Sequence, residues 1–159
     1  MKPTNVTRFL DAHQIRYTAF ELPPEKHGAL ETAHLLNVTP EMVYKTILVT
    51  REGKGKPELA VVPGSHEVDL KALARALGEK KLHLPSEREA ERLTGLQAGG
   101  ISPLALIQRG FQVVLDSAAQ TLEVMHISGG QCGLNIRLAP ADLVKLAKAR
   151  YAEISRPAG

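Results

Sequence analysis

The chain of 159 residues has one cysteine, Cys132, no tryptophan and only 4% aromatic residues. A single thiol excludes internal disulfides and every zinc or iron–sulfur site that needs several cysteines. So few aromatics leave little surface on which unpaired bases could stack. No apolar run approaches the ~20 residues that a membrane-spanning helix requires. The segment Met1-Lys2-Pro3-Thr4-Asn5 lacks the apolar core of a signal peptide, so the expected location is the cytoplasm. Also absent are a Walker loop, a Rossmann fingerprint, a Gly-x-Ser-x-Gly elbow and a His-Glu-x-x-His helix.

What remains is ordinary globular material, 43% hydrophobic and 23% charged. The length suits one domain, residues 1–159, large enough to bury a core without crosslinks. Twenty Lys and Arg against 17 Asp and Glu give a net charge of +3. Such a balance permits contact with a phosphate backbone without demanding it.

Five helices are expected. Thr4 caps the first, with Val6, Phe9, Leu10 and His13 on one face. A second runs from about Gly28 to Leu36 and closes on Asn37. Asp69 caps a third, with Leu70, Leu73, Ala74 and Leu77 inward and Gly78 at its end. Ser86 through Glu89 reads as a capping box for a fourth that stops at Gly95. Pro140 starts the last, which carries Arg150 as a cationic final turn. Between them lie strand-like runs over 16–21, 44–50, 58–62, 81–84, 111–115, 122–127 and 134–138. The short Gly-containing connections 51–56 and 128–133 fit hairpins. The expected fold class is α+β: one domain with a mixed curved sheet, or partial barrel, of about six or seven strands surrounded by helices.

Candidate chemistry is sparse. In Val43-Tyr44-Lys45-Thr46-Ile47-Leu48-Val49, alternation puts Lys45 on the apolar face of Val43, Ile47 and Val49. Such a lysine is either held inward toward an anion or is an edge residue that discourages strand pairing, and the run alone favours the edge. Two diglycine loops, Gly99-Gly100-Ile101-Ser102 and Ser128-Gly129-Gly130, let backbone approach a ligand, although plain turns have the same composition. Asn135 and Arg137 lie opposite Leu134, Ile136 and Leu138, on a polar pocket or a half-solvated strand. His27, Glu31 and His34 have the spacing of a partial metal site that nothing nearby completes. Cys132 has no evident base or orienting group and reads as an idle thiol. Lys80-Lys81 and the turn carrying Arg51, Lys54 and Lys56 bracket a possible cleft for a phosphate backbone. By themselves these residues give an α+β domain with a candidate anion-binding cleft and no protein nucleophile.

In order and spacing, several blocks resemble the YbaK/EbsC family, which is related to the insertion-type editing domains of prolyl-tRNA synthetases. They are Val43-Tyr44-Lys45-Thr46, Leu70 to Gly78 leading into Lys80-Lys81, Gly99 to Leu104, Leu115-Asp116 and Ile127-Ser128-Gly129-Gly130. The likeness runs from about Thr4 to Ile154. It implies a trans-editing deacylase that clears mischarged aminoacyl-tRNA, Cys-tRNA(Pro) foremost, without metal or cofactor. The implied partners are the acylated 3′ end of tRNA and prolyl-tRNA synthetase, with no role for DNA or membrane. Lys45 corresponds to the family's pocket lysine, which binds the anionic or carbonyl end of aminoacyl-adenosine. Gly100 corresponds to its backbone contact with the aminoacyl group and Ser128 to a polar wall position. Phe20, Thr46, Gly99, Ile101, Gly129 and Asn135 fall at the flanking substrate-binding positions.

In this family the substrate's own thiol is thought to attack its ester carbonyl and leave as a thiolactone. The protein then needs only to orient the ester and stabilise the oxyanion, and Cys132 is dispensable. Two departures stand out. Phe20 replaces a tyrosine, and Asn135 replaces an aspartate. If that carboxylate pairs with the substrate's α-ammonium, the amide exchanges an ion pair for a hydrogen bond, a loss of roughly 1–2 kcal/mol. The alternatives are a deacylase for another amino acid, such as Ala-tRNA(Pro), attacked by water, or a weakly catalytic module that binds tRNA or synthetase.

Overall fold

The computed structural model describes residues 1–53 and 55–159, and for Gln108 the main chain; Lys54 of the basic turn lies outside the described residues. Six α-helices are present among them: α1 (Asn5–Ala12), α2 (Ala29–Leu36), α3 (Leu70–Leu77), α4 (Glu87–Thr94), α5 (Pro103–Leu106) and α6 (Pro140–Ala147). Ten strands accompany them: β1 (Tyr17–Glu21), β2 (Tyr44–Arg51), β3 (Glu58–Pro63), β4 (His66–Val68), β5 (Leu82–His83), β6 (Gln112–Asp116), β7 (Met125–Ser128), β8 (Leu134–Leu138), β9 (Arg150–Ala152) and β10 (Ser155–Pro157).

The helix ends follow local chemistry. Oγ1 of Thr4 accepts from Thr7 N–H at 3.1 Å, Asp69 Oδ1 from Ala72 N–H at 3.0 Å and Ser86 Oγ from Glu89 N–H at 3.1 Å. Each satisfies a donor that the first helical turn leaves open. Asn37, Gly78 and Gly95 close their helices in the left-handed conformation. The last helix differs from expectation. Lys148 turns left-handed after Ala147, so Arg150 opens strand β9 instead of completing a helical turn.

The strands form three sheets: β5-β2-β3-β6-β9, β1-β8-β7 and β10-β4. Strands β2 and β3, and β7 and β8, are antiparallel pairs, whereas β3-β6 and β6-β9 run parallel. A bridge between Val43 and His126 links the first two sheets into one curved, unclosed surface. The architecture is thus a single α+β domain with a mixed sheet, but with ten described strands where about six or seven were expected. The additional ones, β4, β9 and β10, have three residues each, too short to show a period.

All six residues of β3 are buried, because the sheet is covered on both faces. On one face Leu48, Leu59, Val61, Val113 and Leu115 pack with Ile127, Ile136 and Leu10. On the other, Val49, Ala60, Val62 and Val114 pack with Leu73 and Ala74 of α3. Each leucine buried in these layers contributes on the order of 1.5–3 kcal/mol. No described helix is long and apolar enough to cross a membrane.

Candidate active site

A cavity of about 400 Å³ opens where β2 meets β7 and β8, a volume typical of small-ligand sites. Its walls come from the start of β2, the Leu22–Thr32 segment, the start of α4, the Ala98–Ile101 turn and the β7–β8 hairpin. Alternation along β2 directs Ile47 and Val49, with Lys45, toward α3, and Tyr44 and Leu48, with Thr46, toward the opposite core. Both Lys45 and Thr46 line the cavity.

Lys45 is half-buried and makes no ion pair among the described residues. Burial lowers its pKa below the ordinary 10.5, and the nearby Glu67 offsets part of that shift. An ammonium held this way retains unspent capacity to bind an anion. Beside it, Thr46 Oγ1 is buried without a partner.

Ser128 fastens the two diglycine loops together. Its hydroxyl donates to Gly99 O at 3.2 Å, and its oxygen accepts from Gly130 N–H at 3.3 Å. Gly99, Ile101 and Ser128 line the cavity. Gly100 and Gly129 do not. The Gly100 N–H donates to Gln97 O at 2.8 Å and that of Gly129 to Leu134 O at 2.7 Å, so neither N–H is open to a ligand. Packing favours glycine at position 100, because the neighbouring backbone would have to give way to a side chain. A Cβ there would stand 3.1 Å from Gln131 Cα and 3.3 Å from Cys132 N. The N–H groups of Gly99 and Ile101, two residues of the cavity lining, make no hydrogen bond among the described residues.

Asn135 lines the cavity, and its Oδ1 lies 2.9 Å from Nδ1 of the buried His126. Phe20 does not reach the cavity lining; its ring packs 5.7 Å from His126, with the Arg137 guanidinium 5.3 Å from its centroid. The site thus gathers Lys45, Thr46, Gly99, Ile101, Ser128 and Asn135, and leaves Phe20, Gly100 and Gly129 behind its walls.

The Leu22–Thr32 segment adds wall residues that were not expected at the cavity, among them His27, which the sequence pattern offers only as part of a metal site. His27 Nε2–H donates to Pro23 O at 2.8 Å, and its Nδ1 lies 3.3 Å from Glu31. The Pro23 carbonyl and Glu31 together raise its pKa. Because α2 begins only at Ala29, His27, Glu31 and His34 do not share one helix, and the described residues form no metal-binding cluster. Lys26 pairs with Glu87 at 2.6 Å and ties this segment to α4.

The expected phosphate cleft changes too. Arg51 is taken up by Glu58 and Glu79, while Lys56 Nζ donates to Arg109 O and keeps its charge. A second hollow of about 450 Å³ shares Lys45, Ile47 and Leu84 with the first cavity and carries Lys71 together with Asp69 and the Arg156–Glu67 pair. Cys132 Sγ donates to Ala98 O at 3.3 Å and faces away from the cavity lining.

The family model of the aminoacyl-tRNA editing domain matches residues 23–146. The chain is 35% identical over 154 residues to "Putative Cys-tRNA(Pro)/Cys-tRNA(Cys) deacylase EbsC" of Enterococcus faecalis, covering 96% of this chain and 93% of that one. It is 32% identical over 132 residues to a proline–tRNA ligase of Trichlorobacter lovleyi, covering 77% of this chain but 23% of the ligase. Its fold matches the crystal structure of "a putative trans-editing enzyme for prolyl tRNA synthetase" with a TM-score of 0.78 at 23% identity, over 98% of this chain and 99% of that one. The chain belongs to the aminoacyl-tRNA editing domain family.

Proposed function

We propose that the chain is a trans-editing deacylase that releases a mischarged amino acid from tRNA, with Cys-tRNA(Pro) as its first substrate. The observation that carries this reading is the half-buried Lys45 ammonium. It stands without an ion pair in a cavity whose lining contains no cysteine or evident nucleophilic dyad. An acylated ribose supplies the oxygen such an ammonium lacks.

With a cysteinyl ester, the substrate sulfur attacks the acyl carbon and forms a C–S bond. The bond from that carbon to the ribose oxygen breaks, the thiol proton ends on the ribose oxygen, and a thiolactone departs. Lys45 and the Gly99 and Ile101 N–H groups stabilise the oxyanion; one such donor is worth roughly 2.7–4 kcal/mol. Holding sulfur against carbonyl supplies up to ~7–11 kcal/mol in favourable intramolecular cases. In the neighbouring hollow Arg156 is paired with Glu67 at 2.9 Å, which leaves Lys71 beside Lys45 as the cation offered to the RNA backbone. Prolyl-tRNA synthetase, whose relatives carry a similar domain in the same chain, is the proposed source of the mischarged tRNA.

The test is a deacylation panel of Cys-, Ser- and Ala-tRNA(Pro). The thiol route expects turnover of the cysteinyl ester and at least a hundredfold less of the seryl ester. Equal rates on all three mean that water attacks, and no turnover on any refutes the deacylase reading.

A further inference from the structure

Two side chains on the polar face of the three-stranded sheet are joined in a way the reaction above does not use. His126 on β7 is 1% exposed, and Asn135 on β8 is 5% exposed. In register His126 stands across from Arg137, and Asn135 from Ser128 and Phe20. His126 Nδ1 lies 2.9 Å from Asn135 Oδ1, while His126 Nε2 is buried with no partner among the described residues.

A carboxamide oxygen only accepts, so at this contact Nδ1 carries the proton. A neutral imidazole has one N–H, which leaves Nε2 as a bare lone pair. That accounts for its solitude, because an unpaired buried acceptor is tolerated better than an unpaired buried N–H. Reversing the amide would put the proton on Nε2, where nothing receives it. An imidazolium would strand the same proton, and burial together with Arg137 disfavours that charge.

We propose that His126 is a positioning residue that holds the Asn135 amide with its oxygen inward and its nitrogen toward the cavity. Asn135 then donates to a substrate oxygen, the acyl carbonyl or a ribose hydroxyl, and does not accept from the substrate's α-ammonium. This rests on the deacylase reading for the identity of the substrate and on His126 for the polarity of the wall. It reverses the contact expected when Asn135 simply stands in for a carboxylate.

The test has two arms on the full chain. Nitrogen-15 NMR of histidine-labelled protein should find the His126 proton on Nδ1; a proton on Nε2 overturns the geometry. The second arm measures dissociation constants for 3′-alanylamino-3′-deoxyadenosine and its N-acetyl derivative, which lacks the ammonium. Asn135→Ala should weaken both by the same roughly three- to tenfold, the range for one hydrogen bond. His126→Phe frees the amide to turn, and the ratio should move at least about threefold toward the free amine. Selective loss of the free amine's affinity in Asn135→Ala shows that Asn135 reads the ammonium and overturns the proposal. An unchanged ratio in folded His126→Phe reduces His126 to a packing residue. If that variant does not fold, the spectrum and Asn135→Ala still decide. A wild-type protein that binds neither analogue refutes the substrate reading, while the spectrum continues to report on the wall.

Discussion

Replacing Lys45 with methionine keeps most of the side chain's length and removes its charge, so it separates what the ammonium does for catalysis from what it costs the fold. Lys45 is half-buried, has no ion pair among the described residues, and has its pKa lowered by that burial. Its charge therefore opposes folding at neutral pH. The penalty is present in full below the lowered folded-state pKa. It disappears as pH rises through that value to the ordinary 10.5, where both states lose the proton. Lys45→Met should thus be as stable as the parent or more so, by no more than about 1 kcal/mol, because water still reaches part of the ammonium. For a chain of this length that is a rise in Tm of about 2–4 °C at pH 7. The gain should shrink toward pH 10.5. Single-turnover deacylation of Cys-tRNA(Pro) should meanwhile fall by ~10²–10³, the effect of removing one oxyanion donor. Thermal melts across pH, paired with quenched time courses, supply both numbers. Loss of more than 1 kcal/mol of stability, or activity within tenfold of the parent, would show that Lys45 is a structural lysine and refute the reasoning.

Cys132→Ala should leave deacylation within about twofold, because Sγ is turned to Ala98 O outside the cavity; an inactive variant would point to a thiol hydrolase. Arg51→Met should strand the fully buried Glu58 carboxylate and cost roughly 3–5 kcal/mol in denaturant titrations. Adding Glu58→Leu should recover most of that, and failure to recover would show that the pair is not the cause. Gly133→Ala should cost ~2–4 kcal/mol, since its φ is +86° and a Cβ would sit 2.8 Å from Leu22 O and 2.9 Å from Pro23 O. The shift of Leu22 at the cavity wall should also raise KM, and an unchanged KM would show that this segment adapts.

The readings that held share one property: the signal and its consequence lie within a few residues of each other. Thr4, Asp69 and Ser86 cap the helices that follow them, since each oxygen need only reach an N–H two or three residues on. The run over 58–62 forms strand β3 where its own residues place it. The readings that changed depended on distant partners. Arg51 looks like a free surface cation until Glu79, 28 positions away, closes on it. Gly100 looks like a ligand contact until the Gln131–Cys132 backbone takes the space where its Cβ would be. Gly129 fits the same pattern, its N–H being spent inside the hairpin. His27 looks like one corner of a partial metal site on a helix, and becomes part of the cavity wall only when its loop folds against β2 and α4.

The sequence alone therefore determined the fold class, the helix ends, the lack of a multi-cysteine site and the residue types available for an anion-binding pocket, because local backbone preference and hydrophobic period operate along the chain. Tertiary structure alone decided which of those residues share a cavity, that Lys45 makes no ion pair among the described residues, and that His126 meets the Asn135 amide. Burial and cross-strand pairing join groups whose distance along the chain carries no record of their contact, and their electrostatic character is set only once water has been removed from between them.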